Sequence, residues 1–183
     1  MIHNLPPGLI MVLGALLLPF LGQRLSAWGA LILSSLSLAA FWTTPELHVV
    51  TLNLFGQDLN IVRIDRWSWI FGLVFHFAAI IASIYALHVK DTKQHVAGMI
   101  YAGSAIAACC AGDLITLFVC WELTAVSSVF LIWANGTETA YRSGMRYLII
   151  QVTSGVLLLS GAIIHYHQTG SLVFENFLGL EPG

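Results

Sequence analysis

Apolar residues do not alternate with polar ones along this chain at the spacing of a soluble helix; they run in blocks, separated by short polar clusters. A helix that crosses a bilayer needs about 20 mostly apolar residues, because hydrocarbon cannot satisfy exposed backbone groups. Six stretches meet that need and predict membrane-spanning helices at 5–22, 26–43, 67–88, 96–112, 114–133 and 144–166. The expected fold class is therefore all-α, a polytopic membrane protein of about six transmembrane helices in a single domain over residues 1–183. Between the second and third blocks, residues 44–66 break the pattern. Short alternating runs, LHVVTLNLF and LNIVRI, flank Pro45, Asn53, Gly56 and Asp58 and predict a hairpin-like loop rather than a span.

The first block is short, opens on Pro6 and Pro7 and holds Pro19, which suits a helix start followed by a bend. No basic residue precedes it and no small-x-small site follows it, so it reads as a span rather than a cleaved signal. Lys and Arg collect in cytoplasmic loops. With the N-terminus outside, the inner loops hold Arg24, Lys90, Lys93, Arg142 and Arg146, against Arg63 and Arg66 outside. The expected location is the cell's inner (plasma) membrane, crossed several times with the N-terminus out.

Composition agrees with the blocks. Hydrophobic residues make up 58% and charged residues 9% of the 183, and the mean hydropathy is +0.85. A net charge of −2 leaves no basic surface for a phosphate backbone, which argues against nucleic acid as a partner. Cys109, Cys110 and Cys120 lie in apolar runs without CxxC spacing, as small packing residues do, so no disulfide framework or zinc site is expected. No phosphate-cradling loop, nucleophile elbow or metalloprotease helix appears, and no active site is expected in this chain. A bis-histidine haem needs two imidazoles at one depth. His3, His48, His88, His95, His165 and His167 all fall in loops or at span ends, so no cofactor is expected.

Within the six blocks one charged residue lies deep, Glu122 in GDLITLFVCWELTAVSSVFLIWA. An acid at a helix centre costs about 2.5–3.5 kcal/mol to insert, and such residues mark ion or proton paths. Removal from water favours the uncharged form of a carboxyl, which suits a group that loads and releases a proton. The structural alternative is an acid that ties two helices by a hydrogen bond. At about 1.5 Å per residue, Glu122 lies roughly 12 Å below the outer boundary, and His76 in the third span is nearly level with it. Thr153 and Ser154 of the sixth span reach the same zone, so a polar belt of His76, Glu122, Thr153 and Ser154 is expected. Histidine is the side chain whose ordinary titration lies nearest neutrality, so His76 could shuttle protons, or it could be a satisfied core histidine. Arg146 is expected to snorkel, Asp113 to cap the fifth helix, and the row Ala102, Gly103, Ala105, Ala107 and Ala108 to allow close helix approach.

The run around Trp121 and Glu122 resembles the fifth transmembrane helix of the antiporter-like proton-translocating subunits of Mrp-type Na+/H+ antiporters, respiratory complex I and membrane-bound hydrogenases. IVRIDRWSWIFGLVF, SIYAL and AYRSGMRYLIIQVTSGVLLLSGA resemble that family too, so the likeness runs from Ile61 to about Gly170. WELTAVSSVFLIWA is most similar to the D-type branch of the Mrp antiporters. The resemblance implies the N-terminal six-helix portion of a fourteen-helix subunit, in which the fifth-helix glutamate, here Glu122, pairs with a lysine on a broken seventh helix. That helix is not among the six read here, so either a partner chain supplies it or the chain is a truncated product. The implied function is proton translocation in a multisubunit cation/proton antiporter, together with other integral membrane subunits, with protons and Na+ or K+ as the candidate ions. The rival expectation is a non-conducting scaffold subunit of an antiporter, complex I-like or hydrogenase assembly. A stand-alone solute carrier fits less well, with one acid and no matching second half.

Overall fold

The computed structural model describes residues 5–45, 47–54 and 57–174; His3 and Gly56 lie outside the described residues. Helix α1 (Leu9–Ala15) leads through a 3-10 turn (Leu18–Leu21) into α2 (Gln23–Trp42). An antiparallel hairpin, β1 (His48–Leu54) with β2 (Gln57–Ile64), precedes α3 (Arg66–Tyr85) and a further 3-10 turn (Ala86–His88). Then come α4 (Thr92–Cys109), α5 (Leu114–Trp133) and the long α6 (Glu138–Thr169).

Among the described residues, four helical stretches are long and apolar enough to cross a membrane: Gln23–Trp42, Arg66–His88, Leu114–Trp133 and Glu138–Thr169. Two of the six expected spans differ. The first holds a helix of only seven residues, since Pro19 lies in the first positions of a separate 3-10 turn, Leu18–Leu21, and does not continue α1. The fourth, expected at 96–112, falls in α4, which opens earlier on Thr92, Lys93, Gln94 and His95, and these polar residues dilute the helix's apolar stretch. Both elements are packed closely by neighbours. Helix α4 packs against α1, α2, α3 and α5, and Met11, Ala15, Leu18, Ala30, Ala79, Met99 and Ile106 form the core between them. Gly8 and Gly103 let α1 and α4 meet backbone to backbone. A methyl on Gly103 would come within 2.6 Å of the Gly8 carbonyl oxygen and 2.9 Å of Val12 Cγ2.

The polarity of the interior is that of a protein whose outside is oil. Large apolar side chains such as Trp28, Phe71, Val119, Ile150 and Leu157 point outward, while Ser26, Ser34, Ser37, His76, Ser83 and Ser104 are buried. The serines are small enough for close helix packing, and they satisfy themselves on helix carbonyls: Ser34 on Leu31 at 3.0 Å, Ser83 on Ala79 at 2.7 Å and Ser104 on Ile100 at 2.7 Å.

The hairpin closes one end of the bundle. The Arg63 N–H donates to the Cys110 carbonyl at 2.8 Å and the Gly112 N–H to the Asn60 carbonyl at 3.0 Å, so β2 is stitched to the α4–α5 turn. Asp65 then starts α3 with a capping box: its carboxylate accepts from the Ser68 N–H at 2.8 Å, and its own N–H donates to Ser68 Oγ at 2.8 Å. Burial alone would raise the Asp65 carboxyl, but the Ser68 hydrogen bonds and the Arg63 guanidinium outweigh it and hold the group below the usual carboxylate range.

Candidate functional site

Helix α5 is started by Asp113, wholly buried, whose carboxylate accepts from the Thr116 N–H and from Thr116 Oγ1, each at 2.8 Å. That cap fixes the helix phase, and two and a half turns on it delivers Glu122. One face of α5 is tied to α4, where Thr124 Oγ1 and Ser104 Oγ lie 2.8 Å apart. The other face meets α6, which returns antiparallel after a short connection capped by Thr137, whose side chain accepts from the Ala140 N–H at 3.1 Å.

The α5–α6 seam is built on glycines. Gly144 sits under the indole of Trp133, where a methyl would come within 2.8 Å of the ring's Cδ1. Ser128 Oγ lies 3.0 Å from the Tyr147 hydroxyl. Eleven residues back from Trp133 is Glu122, and eleven on from Gly144 is Gly155. Eleven residues are close to three helical turns, so both partners return to the same faces. The Glu122 carboxyl rests on Gly155: a methyl there would overlap Oε1 and lie 2.6 Å from Cδ. Oε1 is shut off by the fold, and among the described residues it has no hydrogen-bond partner. Trp121, its neighbour in sequence, turns outward.

The other expected members of the polar belt lie elsewhere. His76 is wholly buried between α2 and α3, not at the α5–α6 seam. Its Nδ1 lies 2.7 Å from the Gly72 carbonyl and its Nε2 lies 3.0 Å from Ser37 Oγ, while its ring stacks on Phe41 with centroids 5.0 Å apart. The carbonyl can only accept, so Nδ1 carries a proton. Both ring nitrogens are then used, and the neutral ring is fully satisfied. Thr153 and Ser154 share α6 with Gly155 but are exposed, and Thr153 Oγ1 donates back to the Ile149 carbonyl at 2.8 Å. The residue that meets the carboxyl is the next one in the chain, a glycine. Composition hides it, since glycine carries no polar atom. The signal that finds it is the register of an antiparallel helix pair counted outward from its tight connection. Arg146 is exposed, as a snorkelling side chain would be, and among the described residues no group of three or more His, Cys, Asp or Glu could hold a metal ion.

A multi-pass helical membrane protein with a glutamate oxygen enclosed at the α5–α6 seam is the class this geometry defines. Comparison with known proteins narrows it. Residues 111–181, which contain α5, α6 and the seam, match the family model described as NADH:quinone oxidoreductase/Mrp antiporter, transmembrane. The putative antiporter subunit mnhA2 of Staphylococcus epidermidis is 31% identical over 130 residues, covering 66% of this chain and 16% of that protein. Hydrogenase-4 component B of Escherichia coli is 28% identical over 135 residues, covering 69% of this chain and 20% of that one. In three dimensions the fold superposes on a chain of the Mrp complex from Dietzia sp. with a TM-score of 0.81 at 21% identity, over 91% of this chain and 20% of the other. It matches a chain of an archaeal membrane-bound sulfane sulfur reductase equally well, with a TM-score of 0.81 at 20% identity, over 93% and 29%. The chain is thus similar to Mrp/complex I-like antiporter membrane proteins, in sequence over α5 and α6 and in fold over most of its length. It spans about a fifth or less of the length of these curated relatives. The antiporter relatives carry the name mnhA2, so the likeness of α5 to the D-type branch stays a resemblance of wording.

Proposed function

We propose that this chain forms part of the proton path of a multisubunit cation/proton antiporter, with Glu122 as the carboxyl that takes up and releases the proton. The observation that carries the reading is the state of Glu122 Oε1, enclosed by the α5–α6 seam yet without a hydrogen-bond partner among the described residues. A carboxyl kept only to strap two helices together would have its buried oxygens bonded, because an unsatisfied buried polar atom costs about 1–3 kcal/mol. A carboxyl kept to exchange a proton must leave an oxygen free to receive it.

The chemistry follows from electrostatics. In a medium of low dielectric the protonated acid is neutral and tolerated, whereas the anion needs a cation or water brought close. A group that approaches and withdraws therefore loads and unloads Glu122. In the family that this chain resembles, a lysine on a later helix supplies the charge, and a partner subunit or further helices would supply it here. Other integral subunits are the expected neighbours, since the outward faces of α5 and α6 are apolar along most of their length. The proposed setting is the plasma membrane, with the N-terminus outside and the Lys90, Lys93, Arg142 and Arg146 end in the cytoplasm. His76, satisfied within the α2–α3 pair, is assigned a structural role in this reading.

The test is transport in membrane vesicles containing the full assembly, comparing wild type with Glu122→Gln and Glu122→Ala. Loss of cation-coupled proton movement with normal assembly supports the relay; unchanged movement with normal assembly supports a scaffold.

A further inference from the structure

Three glycines on α6 face three different surroundings. A methyl on Gly144 would strike the Trp133 indole, one on Gly155 would strike the Glu122 carboxyl, and one on Gly161 would meet nothing within 4 Å. Gly155 has no need of special backbone freedom, being an interior residue of a regular helix, where glycine is less favourable than alanine by roughly 1 kcal/mol. Nor does it serve to bring two backbones together, for what occupies the missing side chain's place is a carboxyl oxygen. That oxygen makes no hydrogen bond among the described residues, so no bond fixes its position. Shape alone holds it.

We propose that Gly155 is a positioning residue for Glu122: its bare Cα forms the notch in which the carboxyl rests, and a side chain there displaces the carboxyl from the α5–α6 seam. The inference rests on the reading of Glu122 as the proton carrier and adds the residue that sets where the carrier stands. The notch keeps the acid turned into the seam, away from the face that Trp121 presents outward. It offers the carboxyl contact without offering a hydrogen bond, so the resting place does not compete with an incoming proton donor or acceptor.

The experiment uses the full chain in its assembly in vesicles, with two readouts: coupled proton transport, and labelling of Glu122 by dicyclohexylcarbodiimide, a hydrophobic reagent for protonated carboxyls, followed against pH. Glu122→Gln removes the label and defines the site. Gly155→Ala slows both labelling and transport about tenfold, because an inserted methyl in a filled seam forces the neighbour out of place. Glu122→Asp added to Gly155→Ala shortens the acid by one methylene and recovers most of the labelling. Gly144→Ala and Gly161→Ala leave the labelling profile as in wild type. Wild-type labelling in Gly155→Ala overturns the inference, as does equal slowing by Gly144→Ala and Gly155→Ala without recovery by Glu122→Asp. If Gly155→Ala fails to accumulate in the membrane, restored accumulation on adding Glu122→Asp supports the notch and its absence overturns it. If Glu122→Gln leaves transport intact, the carrier reading falls, and the labelling arm still decides whether Gly155 holds the carboxyl.

Discussion

Ser37 Oγ lies 3.0 Å from His76 Nε2, a buried polar pair that joins α2 to α3 in the middle of the bundle. With Nδ1–H donating to the Gly72 carbonyl, Nε2 is the acceptor and the serine hydroxyl the donor. Ser37→Ala leaves Nε2 unsatisfied and is expected to cost about 1–2 kcal/mol. His76→Ala costs more, about 2–4 kcal/mol, because it also empties the space against Phe41. Thermal unfolding of the purified protein measures both. The pH dependence of proton transport should stay as in wild type for Ser37→Ala.

The Gly8–Gly103 contact fixes how closely α1 approaches α4. Gly103→Ala places a methyl 2.6 Å from a backbone oxygen that cannot move aside cheaply, so a loss of about 1–3 kcal/mol is expected. Gly98→Ala on the same helix meets nothing within 4 Å and should stabilise by up to about 1 kcal/mol through helix propensity. Opposite shifts in melting temperature for the two variants are the expected result.

Asp65 gives the hairpin end a pH dependence. Its carboxyl is held below the usual range in the folded chain, so the folded state binds that proton less readily than the unfolded one. The stabilisation is therefore fully present above the unfolded value of 3.8 and is lost as pH falls through the lower folded value. Asp65→Ala removes the cap to Ser68 and should cost about 1 kcal/mol at neutral pH. Unfolding curves recorded from pH 7 down to pH 3 should show the variant and wild type converging at the acid end.

Much of this was written in the apolar blocks. Helices α2, α3, α5 and α6 follow from runs too long and too apolar for water, and Glu122 stands out because nothing else charged lies so deep. Helix ends were less legible. Residues 138–143 are polar and look like loop, yet Thr137 caps the helix and α6 runs from Glu138 to Thr169, about 48 Å at 1.5 Å per residue. The 30 Å of hydrocarbon explains the apolar part of such a helix, not its full length. The short α1 was obscured because Pro19 divides one apolar run into two elements. The belt of His76, Thr153 and Ser154 around Glu122 came from depth alone. Depth ignores helix rotation, which in the structure turns His76 to Ser37 and leaves Gly155, without any polar atom, facing the acid.

The central claim is that Glu122 carries a proton rather than a load. Coupled proton uptake into vesicles bearing the assembled complex with Glu122→Gln tests it most directly, since the amide keeps the shape of the side chain and cannot exchange a proton. A fall of at least about tenfold, with the complex assembled to wild-type levels, is the expected result. Uptake at the wild-type rate would contradict it.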